Sequence, residues 1–437
     1  MSFVDREKIK KTFPFLAKIV KWIKMRKNEL RALPRHIKRK LVRNENARSH
    51  HGKIKVVFIC QYIPAWSKNK CLYETLKRDP RFEAILLCIP NRIRANHLQG
   101  PNDLSNDTYE YFTDHGYKEA VNPLIGKNMW MDLKSMCPDY VIYNRYDRPM
   151  PAAYTSSQVS QYAKVCLIIY GCALLKSEES MIDKTFSSNT FYFFAESEGI
   201  RSVFLRTNRL LNILKLSTAV CCGITAVENA LNAKNDKAPA WSFTDNGFRI
   251  MYTPRWTTDP TWGGSTFLQY KDFFFQYADD NPTAGVLVRP HPLMFENFIS
   301  SGILSKDMVD IYYSDCESRK NIRVDKEKEY LSSFWNTSVL VSDYSSMIIE
   351  FFATGKPIVY LTYNDSIDYT EQMQEMLSAS YLVSDESQLK NVLDNLKLGI
   401  DPLKEKRSEV FKRVIQNDCN ACASENIKNI LIAGQKQ

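Results

Sequence analysis

The chain has 437 residues, 44% of them hydrophobic and 25% charged, and a formal net charge of +10. That length exceeds one compact core, so two domains are expected, and the composition excludes a collagen, a disulfide scaffold or a long disordered polymer. The charge is uneven: residues 1–53 hold 17 Lys and Arg against 4 Asp and Glu, and the remainder 42 against 45, so the whole positive excess sits in an N-terminal extension.

The first predicted element lies in that extension. Phe15, Ile19, Trp22 and Ile23 recur at helical spacing, with Lys18, Lys21, Lys24 and Lys27 between or after them. This is a basic amphipathic helix whose Trp suits the lipid headgroup zone. Each Lys or Arg near such a surface adds about 1 kcal/mol of attraction to anionic lipid. Residues 1–52 are therefore read as an extension lying on an anionic membrane surface. A solvated helix is the plainer alternative, and a nucleic-acid arm lacks a recognition fold behind it. No run reaches the roughly 18 apolar residues of a membrane span, and charges interrupt every apolar stretch of the N-terminus, unlike a signal peptide. Five of the 11 cysteines (Cys60, Cys88, Cys166, Cys221 and Cys222) lie in apolar, strand-like runs. Cys419 and Cys422 have Cys-x-x-Cys spacing but no second pair for a zinc knuckle. Reduced thiols in a cytoplasmic protein are expected.

The body reads as two sheet-and-helix halves, 53–235 and 236–437. In the first, 53–64 (KIKVVFICQYIP) is a strand, LYETLKRDPRF a helix and FEAILLCIP a strand. Further strands are expected within 138–146, 163–171 and 218–225. After a polar stretch at 232–247, the pattern restarts with FRIMYTPRW, GVLVRPH, NIRVD, SVLVSDY and KPIVYL. Continuous apolar runs, rather than alternation, predict parallel strands covered on both faces. The expected fold class is α/β, with two Rossmann-like domains. In such sheets ligands sit at the carboxyl ends of strands, which directs attention to Arg255, Arg289, His291, Asp325, Ser342 and Asp343.

Two strand ends carry chemistry. In 338–361 (SVLVSDYSSMIIEFFATGKPIVYL) a strand runs into Ser342-Asp343-Tyr344-Ser345-Ser346 and then an apolar helix, which Gly355 and Pro357 stop. Asp343 or Ser342 is expected to cap that helix, with Ser345 and Ser346 in its first turn. Free N–H groups and two hydroxyls there suit phosphate oxygens, although an ordinary N-cap looks the same. The second strand end is Arg289-Pro290-His291-Pro292. Flanking prolines keep His291 out of a helix, and its imidazole can donate to a diphosphate. Arg289 can pair bidentately with phosphate or carboxylate. A lone histidine is often only a structural donor; the two elements together predict a nucleotide-diphosphate site.

RPHP followed by SDYSSMIIEFFATGKPIVY, with YTPRW upstream, resembles the CDP-glycerol glycerophosphotransferase family of teichoic-acid and capsule polymerases and primases. The likeness covers roughly residues 248–365 and extends weakly to 56–79 and 154–171. It implies a GT-B-like fold with the active site in the cleft between domains, a cytidine diphosphate alditol as donor, and no metal or other cofactor. It further implies that His291, Ser345 and Ser346 bind the donor diphosphate, with Asp343 supporting the turn and Arg289 and Arg255 adding positive charge. The family's acceptor is a cell-surface glycan or lipid-linked hydroxyl, and its location is cytoplasmic, peripheral on the inner face of the membrane; no nucleic acid is involved. One departure stands out. Familiar members carry a Trp-His-Gly-Thr block in the N-terminal domain, whose histidine is taken as general base. Here the comparable place reads Ile169-Tyr170-Gly171-Cys172. Asp147, at a strand end before Pro149, is the candidate base, with Tyr170 or His115 behind it; Asp147 is equally what a turn would use.

The expected reaction is attack of an acceptor hydroxyl on the donor's β-phosphorus, with release of CMP. Two alternatives stay open: a GT-B glycosyltransferase using a CMP-sugar, and a membrane-bound scaffold with a decayed site.

Overall fold

The computed structural model describes residues 22–46, 52–91, 104–146, 149–179, 181–244, 247–260, 264–327, 329–362, 367–416 and 422–436. Two parallel sheets organise them. The first contains β1 (Ile54–Cys60), β2 (Phe82–Cys88), β3 (Ala120–Val121), β6 (Tyr140–Tyr143), β7 (Lys164–Leu167), β8 (Thr190–Ala195) and β9 (Thr218–Cys221); β4 (Leu124–Gly126) and β5 (Met129–Trp130) form a separate antiparallel hairpin. Its order is β3-β2-β1-β6-β7-β8-β9. The second contains β10 (Arg249–Thr253), β11 (Gly285–Val288), β12 (Ile322–Val324), β13 (Val339–Ser342), β14 (Ile358–Leu361) and β15 (Tyr381–Val383), in the order β12-β11-β10-β13-β14-β15.

Setting the hairpin aside, both orders reverse direction beside their first strand, as in the Rossmann fold. The central strands are buried on both faces, as continuous apolar runs predict: β11 (GVLV), β13 (VLVS) and β14 (IVYL) have no exposed residue. Helices cover both sides, so each strand's carboxyl end is left to carry function.

The halves are tied together rather than merely adjacent. Leu174 and Leu175, from the segment after β7, are buried in the second sheet's core with Leu340, Ile348 and Phe351. Their backbone pairs across: Thr370 N–H donates to Leu174 O at 2.9 Å, and Lys176 N–H to Asp368 O at 3.0 Å. The C-terminal helix Ala423–Ala433 crosses back, burying Ile427 and Leu431 among the first sheet's core residues. Gly434 follows, so close to that sheet that an added Cβ would lie 2.6 Å from the Tyr140 hydroxyl.

The expected amphipathic helix falls largely outside the described residues, which begin at Trp22. Trp22 and Ile23 are about half exposed. From Lys27 to Asn46 the chain is helical and docks on the first half: Ala32, His36 and Arg39 are buried, and His36 Nε2 lies 2.8 Å from Ser188 O. Burial, reinforced by Arg39, lowers the His36 pKa to about 3, so this ring stays neutral.

Candidate active site

The carboxyl ends of the two sheets face a common cleft of about 280 Å3. From the second half, three neighbouring strand ends line it: Thr253–Trp256 after β10, Arg289–Pro292 after β11, and Tyr344–Met347 after β13. The register explains why they meet. Tyr252 pairs with Val288 on one side and Val341 on the other, so the β10 turn lies between the histidine turn and the serine turn.

His291 is held by its own backbone, whose N–H donates to Pro254 O at 3.1 Å. Leu293 N–H approaches its Nδ1 at 3.2 Å, so the neutral ring carries its proton on Nε2. Ser345 and Ser346 line the same cleft, and the imidazole and both hydroxyls, more than 50 residues apart in the chain, are thereby brought together. The helix after them, Met347–Phe352, is only six residues long. Its macrodipole is correspondingly small, so hydroxyls and first-turn N–H groups dominate. The Ser345 hydroxyl accepts from Met347 N–H at 3.3 Å, while the N-cap Ser346 makes no capping bond with its side chain. Gly355, at φ +70°, ends the helical segment.

The expected caps are not caps. Asp343 and Ser342 are fully buried: Ser342 ends a strand covered on both faces, and Asp343 follows it directly. The Asp343 Oδ2 accepts from Arg255 N–H at 3.1 Å, Thr266 N–H at 2.9 Å and the Thr266 hydroxyl at 3.0 Å. It thus fixes the β10 turn without lining the cleft. Burial pushes its carboxyl up to about 7 against those bonds. Ser342 bonds Thr253 Oγ1 at 2.7 Å.

Both candidate arginines line the cleft, partly engaged. Arg255 sits 4.0 Å above the Tyr344 ring and donates from Nη1 to Tyr344 O at 3.1 Å; burial draws its pKa down. Arg289 pairs with buried Asp325 at 2.6 Å and lies 4.6 Å from the Tyr330 ring centre. Each is held flat by an aromatic face, which preorganises the guanidinium.

On the first half, Tyr170 lines the cleft and packs edge-on to Tyr62 at 5.8 Å. His115 does not line it; it caps the end of the helix Asp107–Asp114, and its ring lies tilted against Tyr111 with centres 4.1 Å apart. Asp147 lies outside the described residues. Sequence reasoning missed Lys68 and Glu178, which line the cleft from the first half. Lys68 pairs with Glu350, whose other oxygen accepts from the Tyr330 hydroxyl at 2.7 Å. A signal for Glu350 existed: one charge in the apolar run MIIEFF demands a buried partner.

Two Rossmann-type sheets with a cleft between their carboxyl edges define a GT-B-like protein. Residues 224–431 match the family model of CDP-Glycerol:Poly(glycerophosphate) glycerophosphotransferase, so the second half of the chain is similar to that family of enzymes. The solved structures that share its fold include the wall teichoic acid polymerase TagF soaked with CDPG, at 14% identity over 94% of this chain and 99% of that one, with a TM-score of 0.56. They also include UDP-GlcNAc 2-epimerase from Neisseria meningitidis bound to UDP-GlcNAc, at 15% identity, 87% of this chain, 100% of that one and a TM-score of 0.56. No curated protein sequence matches the chain significantly.

Proposed function

We propose that this enzyme moves a glycerol-phosphate, or a related alditol-phosphate, from a CDP-alditol donor to a hydroxyl of a glycan or lipid-linked acceptor in teichoic-acid-type polymer synthesis, releasing CMP. The observation that carries the reading is the convergence of His291, Ser345 and Ser346 on one cleft at the sheet's switch point. The donor's diphosphate lies there, with Nε2 of His291 and the two hydroxyls donating to its oxygens. Arg255 and Arg289 add positive charge at the rim of the same turn cluster.

Transfer needs little covalent chemistry from the protein. The β-phosphoryl group passes between two oxygens, and catalysis consists of alignment and of stabilising charge on the departing CMP. His291 supplies that stabilisation, and losing one such donor typically lowers the rate about 10²–10³-fold. The N-terminal extension holds the enzyme to anionic lipid at the inner face of the membrane, where a lipid-linked acceptor lies. Among the described residues no helix is long and apolar enough to cross a membrane.

Incubation with CDP-glycerol, CDP-ribitol and CMP-sugars, followed by CMP release, tests the reading. Consumption of a CDP-alditol supports it. Consumption of a CMP-sugar alone replaces it with glycosyl transfer, and consumption of none indicates a decayed site.

A further inference from the structure

In the transfer proposed above, the acceptor hydroxyl must lose a proton as it attacks phosphorus. Such a proton is taken near neutral pH by a carboxylate or an imidazole far more readily than by a phenol, ammonium or guanidinium. Among the described cleft-lining residues one imidazole and one carboxylate qualify, His291 and Glu178. His291 belongs to the second half, beside the serine turn. Glu178 comes from the first half, the acceptor side.

Its setting is that of a positioned group. Glu178 lies in the segment whose Leu174 and Leu175 are locked into the second core. The N–H groups of those two leucines donate to its Oε2 at 3.0 and 3.3 Å. The Tyr344 hydroxyl donates to the same oxygen, and Tyr344 directly precedes Ser345. Three donors thus converge on Oε2, and Oε1 accepts a bond from none of the described residues. The carboxylate is oriented by one oxygen and presents the other.

Resting on the transfer reaction above, we infer that Glu178 is the catalytic residue that receives the acceptor's proton. The acceptor O–H gives its proton to Oε1 of Glu178 as its oxygen bonds to the donor's β-phosphorus. The bond from that phosphorus to the bridging oxygen breaks, and its electron pair leaves with CMP. The proton passes from Glu178 to solvent after product departs. The loose character of phosphoryl transfer makes a weak, well-placed base sufficient. Tyr344 then links the two substrates, since it positions Glu178 while its backbone continues into the donor turn.

The test uses the full-length chain, CDP-glycerol and a synthetic glycerol phosphate oligomer with a terminal hydroxyl. Glu178→Gln keeps an acceptor for the three donors but removes the base. It is expected to bind CDP-glycerol as tightly as wild type in calorimetry and to lose about 10²–10⁴-fold in kcat. Glu178→Ala is expected to regain activity with added formate, whereas Glu178→Gln is not. A Glu178→Gln enzyme within threefold of wild-type kcat overturns the assignment, as does a loss that appears wholly in donor affinity. A wild-type chain that fails to bind CDP-glycerol overturns the donor reading itself, and the inference with it.

Discussion

Lys68, carried by the first half of the chain, forms an ion pair with Glu350 of the second, and both side chains are almost wholly buried. The pair sits at the cleft, next to the serine turn that Glu350's own helix follows. A buried charge left alone is expensive, whereas removing both partners is often nearly neutral. Lys68→Met is therefore expected to destabilise the protein by about 3–5 kcal/mol. Lys68→Met with Glu350→Met should recover most of that loss. Urea unfolding of the three proteins checks it; a double variant as unstable as the single contradicts a paired role.

Asp343 makes stability depend on pH. Its folded pKa, raised by burial to about 7, lies above that of an unfolded Asp. The folded protein therefore holds this proton more tightly, and the resulting stabilisation is full below about 4 and lost as pH rises through about 7. Asp343→Asn keeps an acceptor for Arg255 and Thr266 and does not titrate. Its stability relative to wild type is expected to improve from pH 4 to about pH 7 and to level off above that. A difference that stays constant over that range contradicts the shift.

The two serines should separate. Ser346 makes no capping bond, so Ser346→Ala is expected to leave stability within about 0.5 kcal/mol. Its loss of a bond to charged phosphate, worth about 1.5–3 kcal/mol, should weaken CDP-glycerol binding about 10- to 100-fold. Ser345→Ala also loses the bond from Met347 N–H and should lower both affinity and stability. Calorimetry with thermal melts distinguishes them.

Truncation tests the N-terminal extension. Deleting residues 1–21 is expected to reduce binding to vesicles containing phosphatidylserine while leaving the melting temperature unchanged. Deleting residues 1–46 should also destabilise the first half, because Ala32, His36 and Arg39 are buried against it. Vesicle sedimentation unaffected by either deletion contradicts membrane attachment through this segment.

How much of this was legible follows from how local each signal is. β1, β11 and β13 announce themselves as apolar runs broken by polar strand ends, so the placement of His291, Ser345 and Ser346 at the carboxyl edge of one sheet could be read. β8 was missed because the helix Lys184–Asn189 runs directly into Thr190 with no glycine or proline between. β15 was missed because it has only three residues. Asp343 looks like a cap in sequence, and only the neighbouring strand reveals that it serves the Arg255 turn instead. Glu178 reads as a solvated charge in KSEES. Its character comes from Tyr344, far away in the chain, and no periodicity reports that contact.

The most direct measurement titrates CDP-glycerol into the wild-type chain and into His291→Ala, with turnover followed on the same samples. The account predicts saturable binding to wild type, weakened by the substitution, a native melting profile for the variant, and a fall in transfer of about 10²–10³-fold. A folded His291→Ala protein that binds and transfers as well as wild type contradicts it.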